Sequence, residues 1–334
     1  MRENVFRKGV VLGAIFLFIG AVVAPNVISD TTSLGKTWYV DDNNIEGPWD
    51  GTQEFPYQHI KEAINATTAG DTVRVYNGTY YENIIIDKPN LKIIGNASDS
   101  TIINGSNECE VIKIITGGGL VENLCIRDSG VLDSGVAIRA SDIIIRHSDI
   151  VHNFHGIMLN SFECDNITIE YSNISNNKYS GIRLIDFCEN NEILHCDIKD
   201  NGVGIFLMDC KLNEISYNHI ENNKKFGIAV QGIDSHNNRI SNNDIKENDQ
   251  GIICWSCGKN NILSNNLIDN NIQASFRSST RQNWNGNYWQ PRHLPFINEI
   301  FNFPIPYPIF GTRGMPPFDH PWINFDKAPS MDEN

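Results

Sequence analysis

The chain has 334 residues, 40% of them hydrophobic, and a formal net charge of −14 from 26 Lys and Arg against 40 Asp and Glu. That balance argues against nucleic acid or an anionic lipid surface as partner, and leaves cations, neutral glycans or plain solubility. One compact core would be large at this length, whereas a solenoid has no such ceiling because each coil touches only its neighbours.

Arg2, Arg7 and Lys8 precede an apolar run from Gly9 to Ala24, and Val22 and Ala24 occupy the −3 and −1 positions of a cleavage site. Residues 1–29 therefore read as a signal peptide or, uncleaved, as an N-terminal anchor that would be the chain's one contact with a membrane. Either way the coils are expected outside the cytoplasm: secreted, at the cell surface or in a periplasm-like space.

Residues 36–104 read as the N-terminal cap and first coils. Ile60, Ala63 and Ile64 share one helical face in Phe55 to Ala66. A short helix there would plug the open end of a solenoid core. Asp41 and Asp42 allow a Ca2+ or catalytic pair, or a simple cap turn.

Residues 105–283 repeat. Asn153, Asn177, Asn201, Asn223, Asn248 and Asn270 each follow an apolar anchor by three residues: Ile150, Ile174, Ile198, Ile220, Ile245 and Leu267. A second anchor lies five residues earlier, at Ile145, Ile169, Ile193, Ile215, Ile240 and Ile262, and a glycine follows each of the first five asparagines. The steps between Ile150 and Leu267 are 24, 24, 22, 25 and 22 residues, a period that marks a solenoid. Period-two alternation and β-branched residues predict coils of three short strands and three turns, stacked in parallel. Asn tolerates the left-handed backbone of a sharp turn, and its amide can donate and accept between stacked copies. Two further columns are expected: Asn191, Asn213, Asn238 and Asn261; and Asn218, Asn243 and Asn265, continued by Ser148, Ser172 and Cys196.

Cys164, Cys188, Cys210 and Cys257 each stand five residues before an Ile anchor, with Ser235 in the same place in the remaining coil, and Cys254 forms a C-x-x-C with Cys257. Three readings stand: small buried residues replacing Ser, one or two disulfides, or a soft-metal site for Cu(I). His147, Tyr171, His195 and Tyr217 share an outward column that could stack sugar rings. Asp149, Asp197 and Asp244 share another with Asn173 and His219, spacing carboxylates two coils apart as an inverting glycosidase would need. Alternation after the glycines turns Met158, Arg183, Phe206, Ala229, Ile253 and Trp255 outward, an apolar stripe that either carries a ligand or is covered. Tyr171, Tyr217, Phe206 and Trp255 are thus the candidate ligand-binding residues.

Residues 284–334 read as a closing segment and strap. Nine of the thirteen prolines lie between Pro291 and Pro329, so the tail is expected to be extended and irregular. Its apolar residues suggest that it lies over the stripe.

With these repeats and ends, the chain after residue 36 resembles the secreted right-handed parallel β-helix proteins of pectin-lyase-like architecture. It is similar, among them, to the β-helix domain of the periplasmic copper-handling accessory protein of nitrous-oxide reductase maturation. The resemblance implies an all-β, single-stranded right-handed parallel β-helix. Polygalacturonases of this fold carry several neighbouring Asp with Gly-His-Gly and Arg-x-Lys motifs, of which His155-Gly156 alone stands here. Pectate lyases use a calcium-binding acidic cluster with an Arg base, which the sequence does not show. The expected function is an exported β-helix protein that binds a polysaccharide or envelope glycan or acts structurally. The alternatives are copper handling by the Cys column, and polysaccharide lyase, hydrolase or epimerase activity.

Overall fold

The computed structural model of the protein describes residues 35–279, 281–290, 307–313 and 320–326. Residues 1–29, read above as an export segment, lie outside that range. No helix among the described residues is long and apolar enough to cross a membrane.

Among the described residues three sheets of 11, 10 and 11 strands run the length of the repeats, parallel throughout except for the last strand of the third. Each coil contributes one strand to each. The first sheet runs from Thr37–Val40 to Asn283–Asn285, and the second from Gly78–Tyr81 to Tyr288–Gln290. The third begins at Ile84–Ile86 and holds the Gly-Ile-x-Leu segments. Register follows the anchors. Ile145 pairs with Ile169 and then Ile193 in the first sheet, and Ile150 with Ile174 and then Ile198 in the second. In the third, Ile157 pairs with Ile182 and then Ile205. All these isoleucines are buried in one continuous core. A buried Ile contributes roughly 1.5–3 kcal/mol from removal of its surface from water, so the columns hold the coils together.

Asparagine columns fill the turns. Asn153 N donates to Asn177 Oδ1, Asn177 N to Asn201 Oδ1 and Asn201 N to Asn223 Oδ1, each at 3.0 Å. The same amides donate backwards to main-chain carbonyls, Asn177 Nδ2 to Ile150 O at 3.0 Å and Asn201 Nδ2 to Ile174 O at 2.9 Å. The ladder continues to Asn270. A side chain at Gly204 would bring its Cβ to 2.5 Å from Gly227 O and 3.0 Å from Asn223 Nδ2, which explains the glycine beside the ladder. The column Asn218, Asn243, Asn265 also forms, and runs on to Asn287. Cys196, Ser172 and Ser148 continue it in the other direction. The remaining column needs a correction. Asn191, Asn213 and Asn238 hand on to Asn260, and Gln282 closes the row. Asn261 begins the strand Asn261–Leu263 one residue later, where alternation turns it outward.

The helix forms at Ile60–Ala66 and buries Ile60, Ala63 and Ile64 as its pattern predicts. Asp42 Oδ2 accepts from Thr79 N at 3.0 Å, and Asp41 Oδ1 from Asn43 N at 3.0 Å. Both acids tie the chain's entry turn. At the other end the coil pattern runs to Gln290, because Trp284 takes the place of Ile262 and Trp289 that of Leu267. Both indoles are 1% exposed and fill the last layer of the core.

The tail differs from the irregular strap expected. Tyr307–Arg313 lies parallel to Ile272–Arg277, and His320–Asp326 adds antiparallel to it. Its pairing with Ile272–Arg277 spans Phe310 to Thr312, so the missing N–H of Pro308 interrupts nothing there. Ile309 joins the core. Of the tail 291–334 expected to cover the stripe, residues 291–306, 314–319 and 327–334 lie outside the described residues.

Candidate functional site

The turn from the first sheet to the second repeats a left-handed residue in successive coils: Asn123, His147, Tyr171, His195, Tyr217, Asn242, Ser264 and Gly286. Asn and Gly suit that conformation, whereas bulky side chains adopt it uncommonly and at a cost. Here four rings occupy it consecutively, with φ of 50°, 48°, 52° and 59°. They form an unbroken stack. His147 to Tyr171 is 5.5 Å between centroids, Tyr171 to His195 is 5.0 Å and His195 to Tyr217 is 5.2 Å, with planes within 14° of parallel. Coil spacing near ~4.8 Å is what brings ring onto ring. Tyr171 and Tyr217 remain 50% and 55% exposed, so the stack presents its ring edges and outer faces to solvent.

Two residues after each ring a polar column faces outward. Asp149 pairs with Asn173, Asn173 with Asp197, Asp197 with His219 and His219 with Asp244. Asn173 Nδ2 donates to Asp149 Oδ1 at 2.9 Å. Its Oδ1 is buried without a hydrogen-bond partner. His147, Tyr171 and His195 line a groove of about 610 Å3 together with Asp149, Asn173 and Asp197. The loop from Asn96 to Asp99 also lines the groove. The carboxylates of Asp149 and Asp197 beside stacked rings can accept hydroxyl donors while the rings meet an apolar sugar face.

The four candidate ligand residues therefore separate. Tyr171 and Tyr217 share this stack. Phe206 and Trp255 lie on the outward face of the third sheet, against a small apolar cluster of Val203, Ala229 and Ile253. The Asn96 to Asp99 loop escaped the sequence reading because it precedes the asparagine columns that carried the pattern.

The cysteine column stands as spaced, with Ser235 and then Ser279 inserted: Cys210 N donates to Ser235 Oγ at 3.2 Å and Cys257 N to Ser279 Oγ at 3.1 Å. All eight cysteines are free thiols, and Cys164, Cys188, Cys210, Cys254 and Cys257 are buried. Contact with Cys188, then burial, pushes the Cys164 thiol up. Cys188 is pushed up to about 12, because the downward pull of its Cys164 contact is outweighed by Cys210 and burial. Cys254 also rises, through its contact with Cys257 and through burial, while the same contact lowers Cys257. Thiolate, not thiol, is the metal-binding form. Among the described residues no group of three or more His, Cys, Asp or Glu is arranged to hold a metal ion.

The fold has relatives of known structure. The Azotobacter vinelandii mannuronan C-5 epimerase AlgE4 A-module superposes with a TM-score of 0.56 at 16% identity, covering 75% of this chain and 87% of that one. XylC in complex with xylose gives 0.59 at 11%, covering 75% and 68%. The Dettilon tailspike protein gives 0.52 at 12%, covering 76% and 62%. At such identities the likeness is one of fold. No curated protein matches the sequence. The family described as right handed beta helix region matches residues 35–209 and 134–288. With most of its length inside that match, and with the parallel coils described above, the chain belongs to the right-handed β-helix family.

Proposed function

We propose that the protein is an exported β-helix that binds a polysaccharide or envelope glycan along the His147–Tyr171–His195–Tyr217 stack. One observation carries the reading: four consecutive rings hold a left-handed turn position that asparagine, serine and glycine fill elsewhere in the same column. Strain kept at a surface position points to use, since the fold itself is served by Asn there. Two of the fold relatives are named for saccharides, a mannuronan epimerase and a complex with xylose. Export rests on Arg2, Arg7 and Lys8 before the apolar run at Gly9 to Ala24.

Binding to a glycan array tests this. Tyr171→Asn and Tyr217→Asn keep a residue suited to the turn while removing a ring. We expect each to weaken binding on the order of tenfold, from loss of about 1 kcal/mol or more of ring contact. Unchanged binding by both variants would end the reading.

The ends complete it. In this reading the helix Ile60–Ala66 plugs the core at its start, and residues 284–334 close and strap its finish. Removing residues 291–334 should sharply raise binding of a dye specific for exposed apolar surface, and no rise would refute the strap.

We read the cysteine column as packing rather than as a Cu(I) site. Cys164, Cys188 and Cys210 share one buried row with Ser235, Cys257 and Ser279, and the serines in that row support a packing role.

A further inference from the structure

Six asparagines stand in the pattern N-x-S or N-x-T, which accepts an N-linked glycan: Asn65, Asn77, Asn96, Asn104, Asn166 and Asn173. Four of the six lie before residue 105, ahead of the asparagine rows, so no ladder accounts for them. In two of the rows the place two residues on is taken by a buried anchor, Ile215 after Asn213 and Ile220 after Asn218, which leaves no room for a hydroxyl.

The structure divides the six. Whether a glycan is attached before or after folding, the finished coil holds that bulk only where the amide nitrogen opens to solvent. Asn65, Asn77 and Asn96 are exposed. Asn65 lies on the helix Ile60–Ala66, whose buried residues are Ile60, Ala63 and Ile64. Asn77 falls between the strands Thr72–Val75 and Gly78–Tyr81, and Asn96 between Lys92–Gly95 and Thr101–Asn104. Both therefore stand on the turn from the first sheet to the second, in successive coils. Asn77 Oδ1 accepts from Ser100 Oγ at 3.2 Å, but among the described residues no Nδ2 of the three donates a hydrogen bond. The other three amides are in use. Asn104 Nδ2 donates to Asp128 Oδ2 at 2.7 Å, Asn166 Nδ2 to Asp142 Oδ1 at 2.6 Å and Asn173 Nδ2 to Asp149 Oδ1 at 2.9 Å. Asn104 and Asn173 are also half-buried within strands.

We infer that Asn65, Asn77 and Asn96 are sites of N-linked glycosylation and that Asn104, Asn166 and Asn173 stay bare. The donor is an oligosaccharide linked to a lipid diphosphate. Nδ2 displaces the diphosphate from the anomeric carbon, a C–N bond replaces the C–O bond, and one amide proton leaves with the diphosphate. Such attachment belongs to exported chains, so the inference rests on the export part of the reading above. Asn96 also lines the groove of the ring stack, so its glycan borders that face.

The test is peptide mapping of the full chain purified from the organism that makes it, by mass spectrometry with fragmentation that keeps glycans attached. Cell fractionation beforehand establishes whether the chain is outside the cytoplasm. We expect glycopeptides at Asn65, Asn77 and Asn96 and unmodified peptides at the other three. Ser98→Ala keeps Asn96 and should lower the intact mass by one glycan, whereas Ser98→Thr should retain that glycan. Thermal melts check that both variants fold, and Asn96→Gln takes the place of the alanine variant should it not. An unmodified peptide at any of the three sites, in chain found outside the cytoplasm, would overturn the proposal and leave export standing. Unmodified peptides from chain found inside the cytoplasm would overturn export and the proposal with it. Glycan on Asn104 or Asn173 as often as on Asn96 would overturn the division of the sites.

Discussion

Two stacks run side by side through this protein, one inside a turn and one outside it. The inner stack, Asn153 to Asn270, is buried, and each amide is held by the coils on either side. The outer stack, His147 to Tyr217, is half exposed, and its members touch only through their faces. In the inner row the residue type follows from the backbone, because a left-over N–H or C=O there has no water to turn to. In the outer row the backbone would accept Asn, and uses it at Asn123 and Asn242, yet four rings stand instead. Repetition alone thus does not separate structure from function in a solenoid. What separates them is whether the repeated residue is the one the local backbone calls for.

Three measurements sharpen that contrast. The largest effect belongs to the inner row. Asn201→Ala leaves Asn177 N and Ile174 O buried without partners. We expect a loss of about 3 kcal/mol in urea unfolding, the sum of two such penalties. A loss below about 1 kcal/mol would mean that water enters the turn, and the distinction between rows would weaken. A buried polar group outside any ladder gives the intermediate case. Burial first, and then Arg183, lowers the His155 pKa from 6.5 to about 4, and the ring contacts Ser180 Oγ at 2.7 Å. The unfolded chain then takes up a proton before the folded one does. The contribution of neutral His155 is present above pH 6.5 and is lost as pH falls toward about 4, at a cost of about 2 kcal/mol or less. His155→Gln should flatten stability across that window, and an unaltered pH profile would show that the ring is solvated. The smallest effect belongs to the outer row. Tyr171→Asn and Tyr217→Asn should change stability by less than about 1 kcal/mol, because relief of the left-handed backbone offsets the lost stacking. A large destabilisation would make the rings structural after all.

Much of this was readable in the chain. Ile anchors, asparagine spacing and glycines fixed the coil, its three strands and the register, since each coil repeats the same contacts with the next. The stack of His147, Tyr171, His195 and Tyr217 was equally visible as a column. What the columns could not show was depth. The groove is lined in part by the Asn96 to Asp99 loop, which belongs to coils without asparagine rows. The misplaced row end at Asn261 shows how little margin period-two alternation leaves: one residue moves the side chain from the turn interior to the surface. The strands at Tyr307–Arg313 and His320–Asp326 are hidden by their prolines: Pro321 lies on the edge strand, and Pro308, in the inner one, stands outside the register with Ile272–Arg277.

The ladder bonds have one more consequence. Nearly all of them join residues 22 to 28 positions apart, from Asn191 N to Asn213 Oδ1 at one extreme to Asn238 Nδ2 to Cys210 O at the other. Every contact therefore closes as soon as one further coil exists. The protein behaves as a chain of identical couplings, in which a whole coil could be lost or duplicated and the rows on either side would still meet in step. Length, and with it the number of rings set along a face, is adjustable in this architecture without redesign of anything inside.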